Sequence, residues 1–135
     1  MTAVLKLPVQ EVPWPQVGSE TRALINRLRF HASLCRASAH LDIHVACGLI
    51  DPNSGEDAAA RTLIRVLAQA LDRTPVWLRP GEISLSFDEC WLAQVIEARR
   101  GEDFDSLLFL THRRIAGDKR RLFGMLVANL ACAAT

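Results

Sequence analysis

Histidine and cysteine side chains, which can bind metal ions or take part in catalysis, are concentrated between residues 31 and 47. The five are His31, Cys35, His40, His44 and Cys47. Imidazole and thiolate are the groups by which proteins hold zinc, iron and haem. His40 and His44 are spaced i, i+4, which places them on one face of a helix, and Cys47 follows on the same side. This trio predicts a three-ligand site with an open position.

The same five residues can also be interpreted as side chains that pack in or beside the hydrophobic core. On an unbroken helix, His31 and Cys35 point away from the other three, so all five join in one site only if the chain turns near Ser38. Free cysteine packs as a small hydrophobic residue, and histidine is common at the edge of a core. We therefore expect no cofactor, and zinc, iron or haem binding is the alternative.

Arginines near the C-terminus form a second set of candidates. They are Arg113, Arg114, Arg120 and Arg121. Their planar forks could converge on one phosphate or carboxylate from neighbouring helix ends. A helix–turn–helix interpretation fails, because the helix that follows Arg121 is too apolar to lie in a major groove. Acidic neighbours favour a solvated face, so binding of an anion or a nucleic acid through these arginines is a third hypothesis, and nucleic acid is not the expected partner.

Motifs of catalysis do not occur in the sequence. There is no GxSxG, no glycine-rich phosphate loop, no HExxH and no pair of ExxH motifs, which are the local signatures of several hydrolase, nucleotide-binding and metalloenzyme sites. Asp88 and Glu89 are adjacent acids at a predicted helix start, where capping accounts for both. The sequence leaves an enzyme possible but favours a non-catalytic protein, because no residue pattern in it requires catalysis.

Length and charge restrict the class of protein further. The chain has 135 residues, 50% of them hydrophobic, and a formal net charge of +1. That is enough for one domain with a core, and the charge gives no general attraction to nucleic acid or to an anionic membrane. No stretch approaches the roughly 20 apolar residues of a membrane span, and the N-terminus lacks a signal-peptide pattern. We expect a cytoplasmic protein, and its arginine- and alanine-rich composition is typical of small bacterial helical proteins.

The stretch from Asn53 to Arg73 predicts an amphipathic helix around which the other elements pack. One arc of this helix is apolar: Ala60, Leu63, Ile64, Leu67, Ala70 and Leu71. Asn53 with Glu56, or Ser54 with Asp57, is expected to cap its start.

A longer helix is predicted over residues 20–47, with apolar residues on two arcs. The second arc consists of Phe30, Leu34, Leu41 and Val45. Since a helix that is apolar on both flanks needs a partner, this arc predicts a homo-oligomer interface. A break near Ser38 into two shorter helices is the alternative.

Three further helices follow. They are predicted from Phe87 to about Arg100, from Phe104 to about Ala116 and from Lys119 to about Ala133, with caps at Ser86, Asp103 and Asp118. The middle one is expected to be buried through Leu107, Leu108 and Ile115.

The predicted fold is therefore all-α: a single-domain bundle of five or six helices over residues 19–135, preceded by an extended, proline-containing arm over residues 1–18. The leading functional hypothesis is a non-catalytic protein-interaction or regulatory module that acts as a homo-oligomer, with an unknown protein partner as a further possibility and no membrane partner.

Overall fold

The fold of the described residues is all-α, as the sequence predicts. The computed structural model describes residues 17–35 and 40–134. Over these ranges the chain forms six helices and no strand. The helices are α1 (Ser19–Cys35), α2 (Ile43–Gly48), α3 (Glu56–Leu71), α4 (Phe87–Arg100), α5 (Phe104–Arg114) and α6 (Gly117–Ala133). None of these helices combines the length and apolar composition that a membrane span requires.

The predicted apolar arc of helix α3 faces the core, but α6 and not α3 contacts the largest number of other helices. Helix α3 packs against α1, α2 and α6, helix α4 packs against α1, α5 and α6, and helix α6 packs against α2, α3, α4 and α5. Five of the six arc residues are buried, and Ile64 is half-buried against the same core. Trp91 of α4 stacks on Phe123 of α6, with ring centroids 5.6 Å apart. The 3.6-residue period therefore predicts correctly which side of α3 faces the core.

The prediction of one unbroken helix over residues 20–47 is wrong, and the alternative with two helices is right. Residues 40–42 are not helical. Asp42 is the N-cap of a new helix, because its carboxylate accepts hydrogen bonds from the amides of His44 and Val45. The Leu41 amide donates to the Arg65 carbonyl oxygen at 3.0 Å, which ties this segment to α3 instead of to α1.

The predicted caps of two helices are also wrong. The N-cap of α3 is Gly55, with no side-chain hydrogen bond, because the residues before it form a turn around Asp51. In that turn the Asn53 amide and the Ser54 hydroxyl both donate to Asp51. The α6 helix begins at Gly117 after Ala116, so that Asp118 lies inside its first turn and does not cap it.

The predicted caps at Ser86 and Asp103 are confirmed. Ser86 and Glu89 form a complete capping box at the start of α4, and the Asp103 carboxylate accepts from the Ser106 amide at the start of α5. Helix α5 ends two residues earlier than predicted, and Leu108, expected in the core, is exposed.

The N-terminal arm predicted over residues 1–18 lies, except for its last two residues, outside the described residues. Val17 is buried in the core. The Gly18 amide donates to a carboxylate oxygen of Glu97 on α4 at 2.9 Å. The described chain therefore starts against α4.

Candidate functional site

The predicted metal ligands are distributed over different surfaces. His31 lies on α1, with its Nε2 atom 3.4 Å from a carboxylate oxygen of Asp57 on α3. His40 is exposed and precedes α2. Cys35 is the last residue of α1, and its side chain lies outside the described part of the chain. His31 therefore contacts α3, away from the segment that contains His40.

The other two predicted ligands lie on α2. His44 is exposed, with Nδ1 3.6 Å from the Asp42 carboxylate. Cys47 is half-buried, and its thiol donates to the Leu122 carbonyl oxygen of α6 at 3.4 Å. Among residues 17–35 and 40–134, no three His, Cys, Asp or Glu side chains are grouped so that they could hold a metal ion. Metal or haem binding stays a prediction.

The four arginines are separated into two pairs. Arg113 and Arg114 are the last residues of α5 and line the same groove. Arg120 donates through Nε to the Ile115 carbonyl oxygen at 2.8 Å. Arg121 contacts the Met125 sulfur, within α6. The first pair shares one site, and the second pair makes separate contacts of its own.

The predicted interface residues are mostly exposed. Phe30 is 54% exposed, Leu34 82% and Val45 54%. Leu41 differs, because it is half-buried and packs against the core. Phe30 and Leu34 lie one turn apart on α1, and we call this pair the α1 face. Because of the break after α1, Val45 belongs to a different helix.

A groove between α4 and α5 was not predicted from the sequence. It has a volume of about 410 Å³. Its walls are mainly aromatic, from Phe87, Trp91 and Phe109, and its charged groups are Arg113 and Arg114. The Arg114 guanidinium lies 5.0 Å from the Phe87 ring centroid and 4.9 Å from that of Trp91. Arg113 lies 5.4 Å from that of Phe109. We call this site the α4–α5 groove.

Sequence reasoning missed the groove because its residues come from two helices. Along α4, Phe87 and Trp91 are four residues apart, which is the spacing of a core stripe. The one available signal was on α5, where Phe109 falls outside the apolar stripe of its helix and stands four residues before Arg113.

The buried carboxylates at the start of α4 have structural roles beyond capping. Glu89 accepts two hydrogen bonds from Arg29 of α1, at 2.8 and 3.0 Å, and one from the Leu78 amide at 2.7 Å. Asp88 accepts from Arg73, Arg114 and the Val76 amide. These bonds fix the connection between α3 and α4. Burial alone would raise the pKa of Asp88, but its hydrogen bonds lower the pKa overall, so this carboxylate is poorly suited to act as a general acid.

The thiols of Cys47 and Cys90 are not activated as nucleophiles. Burial raises the pKa of Cys90, and its hydrogen bond from Gln94 offsets this only in part. Burial also raises the pKa of Cys47, against a smaller opposite effect of the Arg121 charge. The reactive form of cysteine is the thiolate, so both environments disfavour nucleophilic chemistry.

Fold and site together describe a small all-α protein with an exposed apolar helix face and a separate groove of arginine and aromatic side chains. No family model, curated protein or solved structure matches this chain.

Proposed function

We propose that this chain is a non-catalytic protein-interaction module that acts as a homo-oligomer through the α1 face. The observation that carries the proposal is the exposure of two large apolar side chains one helical turn apart, Phe30 and Leu34. Large apolar groups that share one helix face are typical of sites that another protein covers.

A second copy of the chain is the occupant we favour. The net charge of +1 gives two copies little mutual repulsion. A pair of apolar side chains four residues apart on one helix can also meet the same pair on a two-fold-related helix, which is the usual symmetry of soluble dimers. Both features support self-association of this chain.

The environments of the ionisable groups support a non-catalytic role. The buried acids Asp88 and Glu89 are engaged with arginines and backbone amides, and burial raises the pKa of the Cys47 and Cys90 thiols. Catalytic groups are instead expected to have a pKa close to the working pH and an open path to substrate.

The test is sedimentation equilibrium of the wild type and of Leu34→Glu over a range of concentrations. Because Leu34 is 82% exposed, the substitution leaves the fold intact but places a charge in the proposed interface. We expect the dissociation constant of the oligomer to rise at least about tenfold. Ser33→Glu, at an exposed position of α1 about 100° around the helix from Leu34, is the matched control and should leave it unchanged.

Two outcomes would contradict the proposal. One is a wild type that remains monomeric at high micromolar concentration. The other is an oligomer that Leu34→Glu and Ser33→Glu weaken equally, since the effect would then come from added charge and not from the α1 face.

A further inference from the structure

The α4–α5 groove is lined by an arginine with a buried donor that is not paired among the residues the structure describes. Arg114 is held by two rings and by a hydrogen bond from one terminal nitrogen to Asp88 at 2.6 Å. Its other terminal nitrogen is buried and has no hydrogen-bond partner among the described residues. That nitrogen has almost no surface open to solvent, so a ligand in the groove meets the positive charge of the Arg114 guanidinium but forms no bond to this nitrogen. The Arg114 charge still favours an anion in the groove.

The second arginine of the groove adds an accessible positive charge. Arg113 is exposed and lies over the Phe109 ring. Within residues 17–35 and 40–134 it forms no ion pair with a carboxylate. Its charge is therefore available to an anion, and the adjacent ring reduces its freedom before the ligand arrives.

The charges around the groove do not balance. Asp88 is the carboxylate at its edge, and it already accepts hydrogen bonds from Arg73 and Arg114. Two guanidinium groups thus already engage Asp88, and Arg113 adds a further positive charge to the lining of the groove. The local excess is positive although the whole chain is almost neutral. An anionic ligand is favoured here over a neutral or cationic one.

The shape and lining of the groove indicate what the anion is attached to. Phe87, Trp91 and Phe109 supply flat apolar walls, and a volume of about 410 Å³ lies at the lower end of the range of small-molecule sites. Stacked rings accept another flat apolar group in offset or edge-to-face contact. A bare inorganic anion would leave these walls exposed to water.

We propose that the α4–α5 groove binds a small aromatic carboxylate. Its carboxylate accepts hydrogen bonds from the exposed Arg113 guanidinium and lies beside the positive charge of Arg114, and its ring lies between Phe109 and the Trp91 side of the groove. The two arginines select for a negatively charged ligand, and the aromatic walls select for a flat one. This site is independent of the α1 face, with which it shares no residue.

The probe is naphthoate, titrated into the full-length protein by calorimetry. Naphthamide has the same shape without the charge, and inorganic phosphate has the charge without the ring. We expect naphthoate to bind at least about tenfold more tightly than either, because a charge-assisted hydrogen bond is worth roughly that factor. Raising the salt concentration should weaken naphthoate binding and leave any naphthamide binding unchanged.

Arg113→Gln tests the assignment without disturbing the fold, since Arg113 is exposed. We expect it to weaken naphthoate binding about tenfold. Arg99→Gln is the matched control, because Arg99 also lies over a phenylalanine ring, that of Phe104, but outside the groove. Phe109→Ala should weaken naphthoate and naphthamide by the same factor, as it removes a wall and no charge.

Three results would overturn the proposal. The first is absence of naphthoate binding at millimolar concentration, and the second is equal affinity for naphthoate and naphthamide, which would leave an apolar groove without anion selection. The third is an equal loss of affinity in Arg113→Gln and Arg99→Gln.

Discussion

Arg29 shows how one side chain can hold three segments of this protein together. It lies on α1, is 2% exposed, and forms a two-bond pair with Glu89 of α4. It also donates to the carbonyl oxygens of Glu82 and Ser84 in the connection before α4, at 2.8 and 2.7 Å. A buried guanidinium is tolerated only where its donors are satisfied, and here both α4 and the connection supply the acceptors.

We predict that Arg29→Met destabilises the protein by about 3–5 kcal/mol, because it leaves the Glu89 carboxylate buried without its counter-charge. Arg27→Met is the matched control two residues earlier on the same helix. Arg27 pairs with Glu56 at the surface, and its loss should cost less than about 1 kcal/mol. Urea unfolding followed by circular dichroism measures both. Equal losses of unfolding free energy in the two variants would show that the buried pair contributes no more to stability than the surface pair.

Asp88 makes the stability depend on pH in a defined direction. Burial alone would raise the pKa of Asp88, but hydrogen bonds from the Val76 amide, Arg114 and Arg73 together outweigh it, and the pKa is lowered from 3.8. A lowered pKa gives stability that is present above the unfolded-state value and lost as the pH falls through the folded-state value. The contribution of Asp88 is therefore complete at neutral pH and declines below about pH 4.

We predict that Asp88→Asn is less stable than the wild type at neutral pH and that the difference narrows below about pH 4. Free energies of unfolding from urea titrations at a series of pH values measure it. Parallel curves for the two proteins throughout the acid range would contradict the assignment.

The sequence could not predict these contacts. It identified Asp88 and Glu89 as helix-start acids, because capping depends on residues three apart. Arg29 and Glu89 are 60 positions apart, and nothing local distinguishes Arg29 from Arg27. Which of the two is buried depends on the direction from which α4 approaches α1.

At the scale of elements, the start of α4 is the best-defined helix end in the protein. The Ser86 hydroxyl accepts a hydrogen bond from the Glu89 amide and donates to the Val76 carbonyl oxygen at 2.7 Å. The Ser86 amide in turn donates to the Glu89 side chain. One residue thus caps the helix and fixes the returning chain.

We predict that Ser86→Ala costs about 1–2 kcal/mol, because it removes the cap and leaves the Val76 carbonyl without this donor. Ser54→Ala is the matched control. Ser54 is a plausible cap by sequence, but its hydroxyl bonds to Asp51 in a turn and not to α3, so we expect a loss of only a few tenths of a kcal/mol. Thermal unfolding measures both, and a larger effect at Ser54 would reverse our account of the two helix starts.

Helix starts were predictable where the hydrophobic period and a capping residue indicate the same position. The α4 and α5 starts have a capping residue just before an apolar stripe, and both were placed correctly. The start of α2 carried a weaker signal, Asp42, inside a pattern that stays helical on both sides. The non-helical residues before it are stabilised by contacts with α3, such as the Leu41 amide donating to the Arg65 carbonyl oxygen at 3.0 Å. Tertiary contacts of this kind override local helix propensity.

For the whole molecule, the two proposed surfaces are separate. The α1 face consists of Phe30 and Leu34, whereas the groove is formed by α4 and α5. Helix α1 is joined to α4 by the buried pair of Arg29 and Glu89, which holds the two helices in one arrangement. Sites coupled only through a rigid contact, without an element that has two states, should bind independently.

We therefore predict that Leu34→Glu, which should dissociate the oligomer, leaves the affinity for naphthoate within about twofold of the wild type. Conversely, Arg113→Gln should weaken naphthoate binding and leave the oligomer intact. Calorimetry and sedimentation on the same two variants measure both quantities. If Leu34→Glu also abolished naphthoate binding in a folded protein, the groove would depend on the second copy, and the independence of the two surfaces would be refuted.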